Sequence, residues 1–188
     1  MSDLRFTFQN PMALIKGRFS TIQAQLKISL ELRSQRMGHA KFNQAGRQGV
    51  TRSKLLPLSA AMVQATSLQN HLALEALRSR HGASLHVTFL FRAVYLTYLM
   101  SDVSEQSSEI DVFQEAEAAL TRCSGRAEDQ GAWHLNDAEI EALKTVLSLH
   151  DWQLQTLPAH RYESSCAHLL NFLMDGDRSV IPVFEIAD

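Results

Sequence analysis

Sixteen residues near the middle of the chain, Leu85 to Met100, have almost no polar face. On a helical projection Val87, Leu90, Phe91, Val94, Leu96 and Leu99 point in every direction, and Arg92 is the one charge among them. A helix that is apolar all round must be surrounded. This stretch is shorter than the ~20 residues that span a membrane, and Arg92 sits in its middle. Its cover therefore has to come from other helices of the same chain. Eight glycines and four prolines in 188 residues are too few for the many turns of an all-β chain, which points the same way.

The flanking segments carry the one-sided patterns that such a centre requires. Pro57 and Ser59 open a helix that runs to about Arg80 and closes at His81-Gly82, with Val63, Leu68, Leu72 and Leu77 on its buried side. Ser84 is placed to cap the central helix. Asp111 begins an acidic helix with Phe113, Ala116, Ala119, Leu120 and Cys123 along one stripe, continuing to the neighbourhood of Gly125 and Gly131. Asn136 followed three residues later by Glu139 has the form of a capping box. The helix it starts carries Ile140, Leu143, Val146, Leu147 and Leu154 and stops before Pro158. A last helix is expected over about His160 to Met174. Ser179 to Ile186 reads as extended, with Pro182 confining it to an edge.

Before all of these, Leu4 to Phe8 alternates as a short strand does, and Asn10-Pro11 starts a helix. Its stripe is Ile15, Phe19, Ile22, Leu26 and Leu30, and Gly38 is placed to end it. Residues 38–54, with three glycines, five bases and no acids, read as a loop. The expected fold is mainly α, an antiparallel helical bundle of five to six helices with an N-terminal helical arm and a short β-ribbon between the termini. Residues 1–58 form the basic arm (short strand, long helix, Gly/Arg-rich linker). Residues 59–188 form the acidic bundle with an extended C-terminal tail.

Charge divides the chain at the same place. Residues 1–60 hold ten Lys/Arg against two acids, a net of +8, whereas residues 61–188 hold eight against eighteen, a net of −10. Such asymmetry suits a basic arm that meets nucleic acid, or one that docks on an acidic surface. Arg33, Arg36, Lys41, Arg47, Arg52 and Lys54 concentrate the positive charge, and Phe42 among them is able to stack on a base.

Signatures of an assembled active site are missing from the sequence. It has no P-loop, no dinucleotide fingerprint, no Gly-x-Ser-x-Gly and no His-Glu-x-x-His. Cys123 and Cys166 make neither a disulfide framework nor a Cys-x-x-Cys pair, and Cys123 falls on an apolar stripe as a buried thiol does. Gly46-Arg47-Gln48-Gly49 has a Gly-x-x-Gly form but lacks a KH-type context, and reads as plain loop. Of the eight histidines, His71 lies four residues from Glu75, and His160, Glu163 and Cys166 share a side of the last helix. Hydrogen-bonded or surface histidines are the simpler expectation than a metal site.

Arg92 needs a partner if its helix is central. Glu75, Glu115 or Glu117 would make it a register-fixing ion pair. The alternative has Arg92, His71, Glu75 and His150 line a pocket that grips an anion, or a metal, in a ligand-binding protein or enzyme. The reading favoured by the sequence is non-catalytic: a regulatory or interaction protein whose segment 33–54 binds nucleic acid or an acidic partner, without a cofactor. A homodimer is expected, because the stripe from Ile15 to Leu30 needs apolar cover. The opening residues lack the apolar run of a secretory signal, and a soluble, cytoplasmic protein with no membrane contact is expected.

Overall fold

In the computed structural model, described over residues 55–102, 110–175 and 179–182, the Leu85–Met100 stretch does lie at the centre. Five α-helices follow in order: α1 (Ala60–Arg78), α2 (Ser84–Met100), α3 (Ile110–Gln130), α4 (Asp137–Thr156) and α5 (Ala159–Asp175). Twelve of the seventeen residues of α2 are buried, and it packs against each of the other four helices. Leu90, Phe91, Val94 and Leu96 are at most 1% exposed. At about 1.5–3 kcal/mol for each such side chain taken out of water, this helix holds a large share of the core.

Side-chain pairs give the helix directions. Gln69 bonds Arg92 across α1 and α2, Tyr98 meets the Phe113 ring edge-on at 5.4 Å across α2 and α3, and Arg122 and Arg126 reach Glu139 across α3 and α4. Gln69 and Arg92 stand at the middles of their helices, whereas Tyr98–Phe113 and Tyr95–Glu117 pair descending positions of α2 with ascending positions of α3, so α2 and α3 run antiparallel. The first turn of α5 is tied to the end of α2, where Arg161 donates to the Met100 carbonyl and to Asp102, both at 2.8 Å. A cation there also suits the negative end of the α2 dipole.

No strand occurs among the described residues, only an isolated antiparallel bridge between Pro57 and Pro158. Residues 179–182 lie against α3, where Gln114 donates to the Pro182 carbonyl at 2.7 Å and Ile181 is buried. The expected strand at 4–8, the helix over 11–37, the linker 38–54 and the remainder of the extended tail at 183–186 lie outside the described residues.

Three local expectations are corrected. Leu68 and Leu72 do not line the core; they are 56% and 59% exposed. The buried face of α1 is instead Thr66, Asn70, Ala73, Leu74 and Leu77, a stripe on the other side of the helix whose smaller members suit close approach to its neighbours. Ser84 is the first helical residue of α2 rather than its cap. The Ala83 N–H donates to His86 Nδ1 at 3.0 Å, so histidine does at the third position what glutamate does in a capping box.

The third correction concerns the α1–α2 turn. His81 N–H donates to the Ala76 carbonyl at 2.9 Å and Arg80 N–H to the Leu77 carbonyl at 3.4 Å, the paired bonds of a Schellman motif. The left-handed residue is Arg80, at φ 61°, a conformation glycine adopts without cost. Gly82 serves another purpose. A Cβ there would collide with the Trp133 carbonyl oxygen and with Leu77. Arg80→Gly is therefore expected to stabilise the protein by about 0.5–1 kcal/mol, and Gly82→Ala to destabilise it by about 1–3 kcal/mol through overpacking, both read from urea unfolding. Equal effects of the two substitutions would contradict this assignment.

Candidate functional site

The charged and polar residues of the bundle sort into three groups: a buried seam between α1, α2 and α4, a half-buried carboxylate on α3 with a fully buried one on α4, and an open groove between α1 and α4. In the seam, Thr97 donates its single hydroxyl proton to the Ala93 carbonyl at 2.7 Å. His150 Nδ1, 2.9 Å from the same oxygen, must then be the donor to it, which assigns the proton to Nδ1. Gln153 Nε2 donates to the Thr97 carbonyl at 3.2 Å and to Ser101 Oγ at 3.1 Å. Asn70, 1% exposed on the facing side of α1, has neither amide atom hydrogen bonded.

Arg92 is buried beside this seam. Its guanidinium donates to Gln69 Oε1 at 2.9 Å and lies 5.3 Å from the centre of the Phe89 ring. None of the expected ion-pair partners Glu75, Glu115 and Glu117 is paired with it among the described residues; each holds another group. Glu75 takes both nitrogens of Arg78 at 2.7 and 2.8 Å, Glu115 takes Arg122 at 2.7 Å, and Glu117 takes the Tyr95 hydroxyl at 2.6 Å.

Glu139 shows how a carboxylate is buried charged. It is 1% exposed and accepts from Arg122, from two nitrogens of Arg126 and from the Asn136 backbone, whose side chain in turn accepts from Glu139 N–H. Burial pushes its carboxyl up, but these hydrogen bonds and the Arg126 charge outweigh burial and hold it below the usual carboxylate range. Glu117 goes the other way. Burial raises it, and the hydrogen bonds from Tyr95 and Ser179 do not offset the loss of water. Burial, then the nearby Glu117 charge, also pushes the Tyr95 phenol well above its usual value. On the same helix, burial pushes the Cys123 thiol up to about 11, so it stays a protonated, unreactive core residue.

The groove has a volume of about 390 Å³ and is walled by Leu68, His71, Leu72, Glu75 and Arg78 of α1 and by Ile140 and Lys144 of α4, over Leu74. His71 Nε2 is hydrogen bonded to Asp151 Oδ2 at 2.8 Å, which ties the two helices together. Of the four residues expected around a pocket, the structure brings His71 and Glu75 to this wall. Arg92 and His150 are not among its lining residues; they point into the α1–α2 and α2–α4 contacts. Arg33, Arg36, Lys41, Phe42, Arg47, Arg52 and Lys54 lie outside the described residues. Among the described residues no three His, Cys, Asp or Glu side chains converge as a cation site, and no helix is long and apolar enough to cross a membrane.

Sequence reasoning missed the two exposed leucines. Nothing in a spacing of four tells an outer apolar pair from an inner one. It also missed the Arg122–Arg126–Glu139 cluster, for which the capping box at Asn136 was the available signal. No protein-family model, curated protein or solved structure matches the chain.

Glu139→Ala is expected to cost about 3 kcal/mol, since it strips a capping partner and leaves Arg126 half-buried without its carboxylate. Glu139→Gln, which can still cap, should cost less. The two carboxylates also set opposite pH dependences. The stabilisation from Glu139 is present above the ordinary carboxylate pKa and is lost as pH falls through its lowered native value. That from neutral Glu117 is present below the ordinary value and is lost as pH rises through its raised one. Glu117→Gln should therefore stabilise the protein relative to wild type at pH 7 and lose that advantage at pH 4, as followed by urea midpoints. An advantage that does not change between the two pH values would refute this assignment.

Proposed function

We propose that the chain is a non-catalytic interaction protein in which an acidic helical body carries a basic N-terminal segment that binds nucleic acid. The observation that supports this is how the body uses its cations. Its described residues include seven Lys/Arg against thirteen Asp/Glu, a net of −6. Arg78, Arg122, Arg126, Lys144 and Arg161 each pair with a carboxylate of the body itself, Arg92 is buried, and the seventh, Arg80, is exposed in the α1–α2 turn.

A body of this charge repels a phosphate backbone, so contact with a polyanion falls to the segment that holds the remaining positive charge. Arg33, Arg36, Lys41, Arg47, Arg52 and Lys54 would take the phosphates, and Phe42 would stack on an unpaired base. The presence of that aromatic residue among the bases favours nucleic acid over an acidic protein.

Binding of duplex DNA and of single-stranded RNA, measured by fluorescence anisotropy from low to moderate salt, tests the reading. The affinity should fall steeply with salt. Arg47→Ala, Arg52→Ala and Lys54→Ala together should lower the slope of log K against log salt by about 2–3. Absent or salt-independent binding at low ionic strength would overturn it, and binding only to an acidic peptide would replace nucleic acid by a protein partner.

A further inference from the structure

Residues 179–182 lie along α3 as a short strap. Ile181 is 1% exposed, Val180 packs against the core, and the Pro182 carbonyl accepts from Gln114 at 2.7 Å. One turn along α3 from Gln114 is Glu117, half-buried, whose carboxylate meets the Tyr95 hydroxyl at 2.6 Å and the Ser179 hydroxyl. The strap therefore runs opposite to α3, with Ser179 over Glu117 and Pro182 beside Gln114. We propose that seating of the strap is coupled to a proton on Glu117, so that residues 179–182 form a pH-sensitive latch, closed on the neutral carboxyl and released as the carboxylate charges.

The hydrogen bonds of the strap depend on that proton. Ser179 has one proton to give and two lone pairs that accept. Its hydroxyl donates to the Ile181 carbonyl at 3.1 Å, and Ile181 N–H donates back to the same oxygen at 3.0 Å, which closes the turn of the strap. A neutral Glu117 gives its own proton to Ser179 Oγ and leaves both of these bonds standing. An ionised Glu117 can only accept. It draws the Ser179 proton to itself, takes the donor from the Ile181 carbonyl and remains a charge under apolar cover, which is costly without a cation.

No cation of the described residues faces Glu117. α3 packs mainly against α2 and α4. From α2 the facing group is the Tyr95 phenol, which burial and the Glu117 charge hold protonated, and from the strap it is uncharged Ser179. The charges that meet α4 stand on the other side of α3. Glu115, Arg122 and Arg126 lie roughly 140–180° around the helix from Glu117 at 100° per residue, where they pair with one another and with Glu139. Burial accordingly raises the Glu117 carboxyl. Closure of the strap is at full strength below the ordinary carboxylate pKa and weakens as pH rises through the raised value.

The Ile181 amide reports the latch directly, because it exchanges its hydrogen only when the bond to Ser179 opens. Exchange of the Ile181 and Leu120 amides in the full-length protein is followed by NMR from pH 4 to pH 8, each rate being divided by the intrinsic rate at that pH. Ile181 protection is expected to fall at least about threefold over this range in the native chain and to stay constant in Glu117→Gln. Constant protection in the native chain, or an equal fall in Glu117→Gln, would overturn the proposal. A fall shared by Leu120, inside α3, would also overturn it, since the whole bundle would then be opening. Arg178 precedes the strap in the chain and lies outside the described residues. A pH dependence that persists in Glu117→Gln but vanishes in Arg178→Gln would give the latch to that arginine and refute the role of Glu117.

Discussion

The lack of a face on α2 that water would accept governs this structure. With twelve of seventeen residues buried, it forces α1, α3, α4 and α5 to surround it. Each of those needs only one apolar stripe, and their other sides are free to be charged. The polar groups that α2 does carry have to be matched inside. Thr97 receives the His150 proton and Arg92 receives Gln69. Such bonds add little net stability, but breaking one strands a buried polar group at a cost of about 1–3 kcal/mol. They fix which residues of α1 and α4 face α2, and so they place Leu68 and Leu72 outside.

The electrostatics of the body follow from the same layering. Five of its seven described cations sit on the surrounding helices and pair with carboxylates of the body, and Glu139 takes two of them at once. That cluster joins the end of α3 to the start of α4 and makes a buried charge tolerable by surrounding it with donors. Spending cations this way leaves the body acidic.

Much of the helical framework was legible in the sequence. The capping box at Asn136 and Glu139 forms as expected, Pro158 stops α4, and Cys123 falls on a buried stripe. The core helix was legible because apolarity on every side has one resolution in water. The orientation of α1 was not. Its apolar residues fall on two sides, and the buried side includes Thr66 and Asn70, so periodicity alone selects the wrong leucines. The contact of Arg92 with Gln69 was missed for a related reason. Charge suggests a carboxylate, whereas helix register delivers Gln69, and register depends on packing between segments far apart in the chain. The Arg80 turn was misplaced onto Gly82, because glycine marks both left-handed turns and close approaches and the sequence does not say which.

If the basic N-terminal segment, and not the acidic body, contacts nucleic acid, ultraviolet cross-linking of bound single-stranded RNA should show it most directly. Adducts located by peptide mass spectrometry are then expected within residues 33–54, Phe42 among them. Adducts confined to residues 55–182 would contradict it.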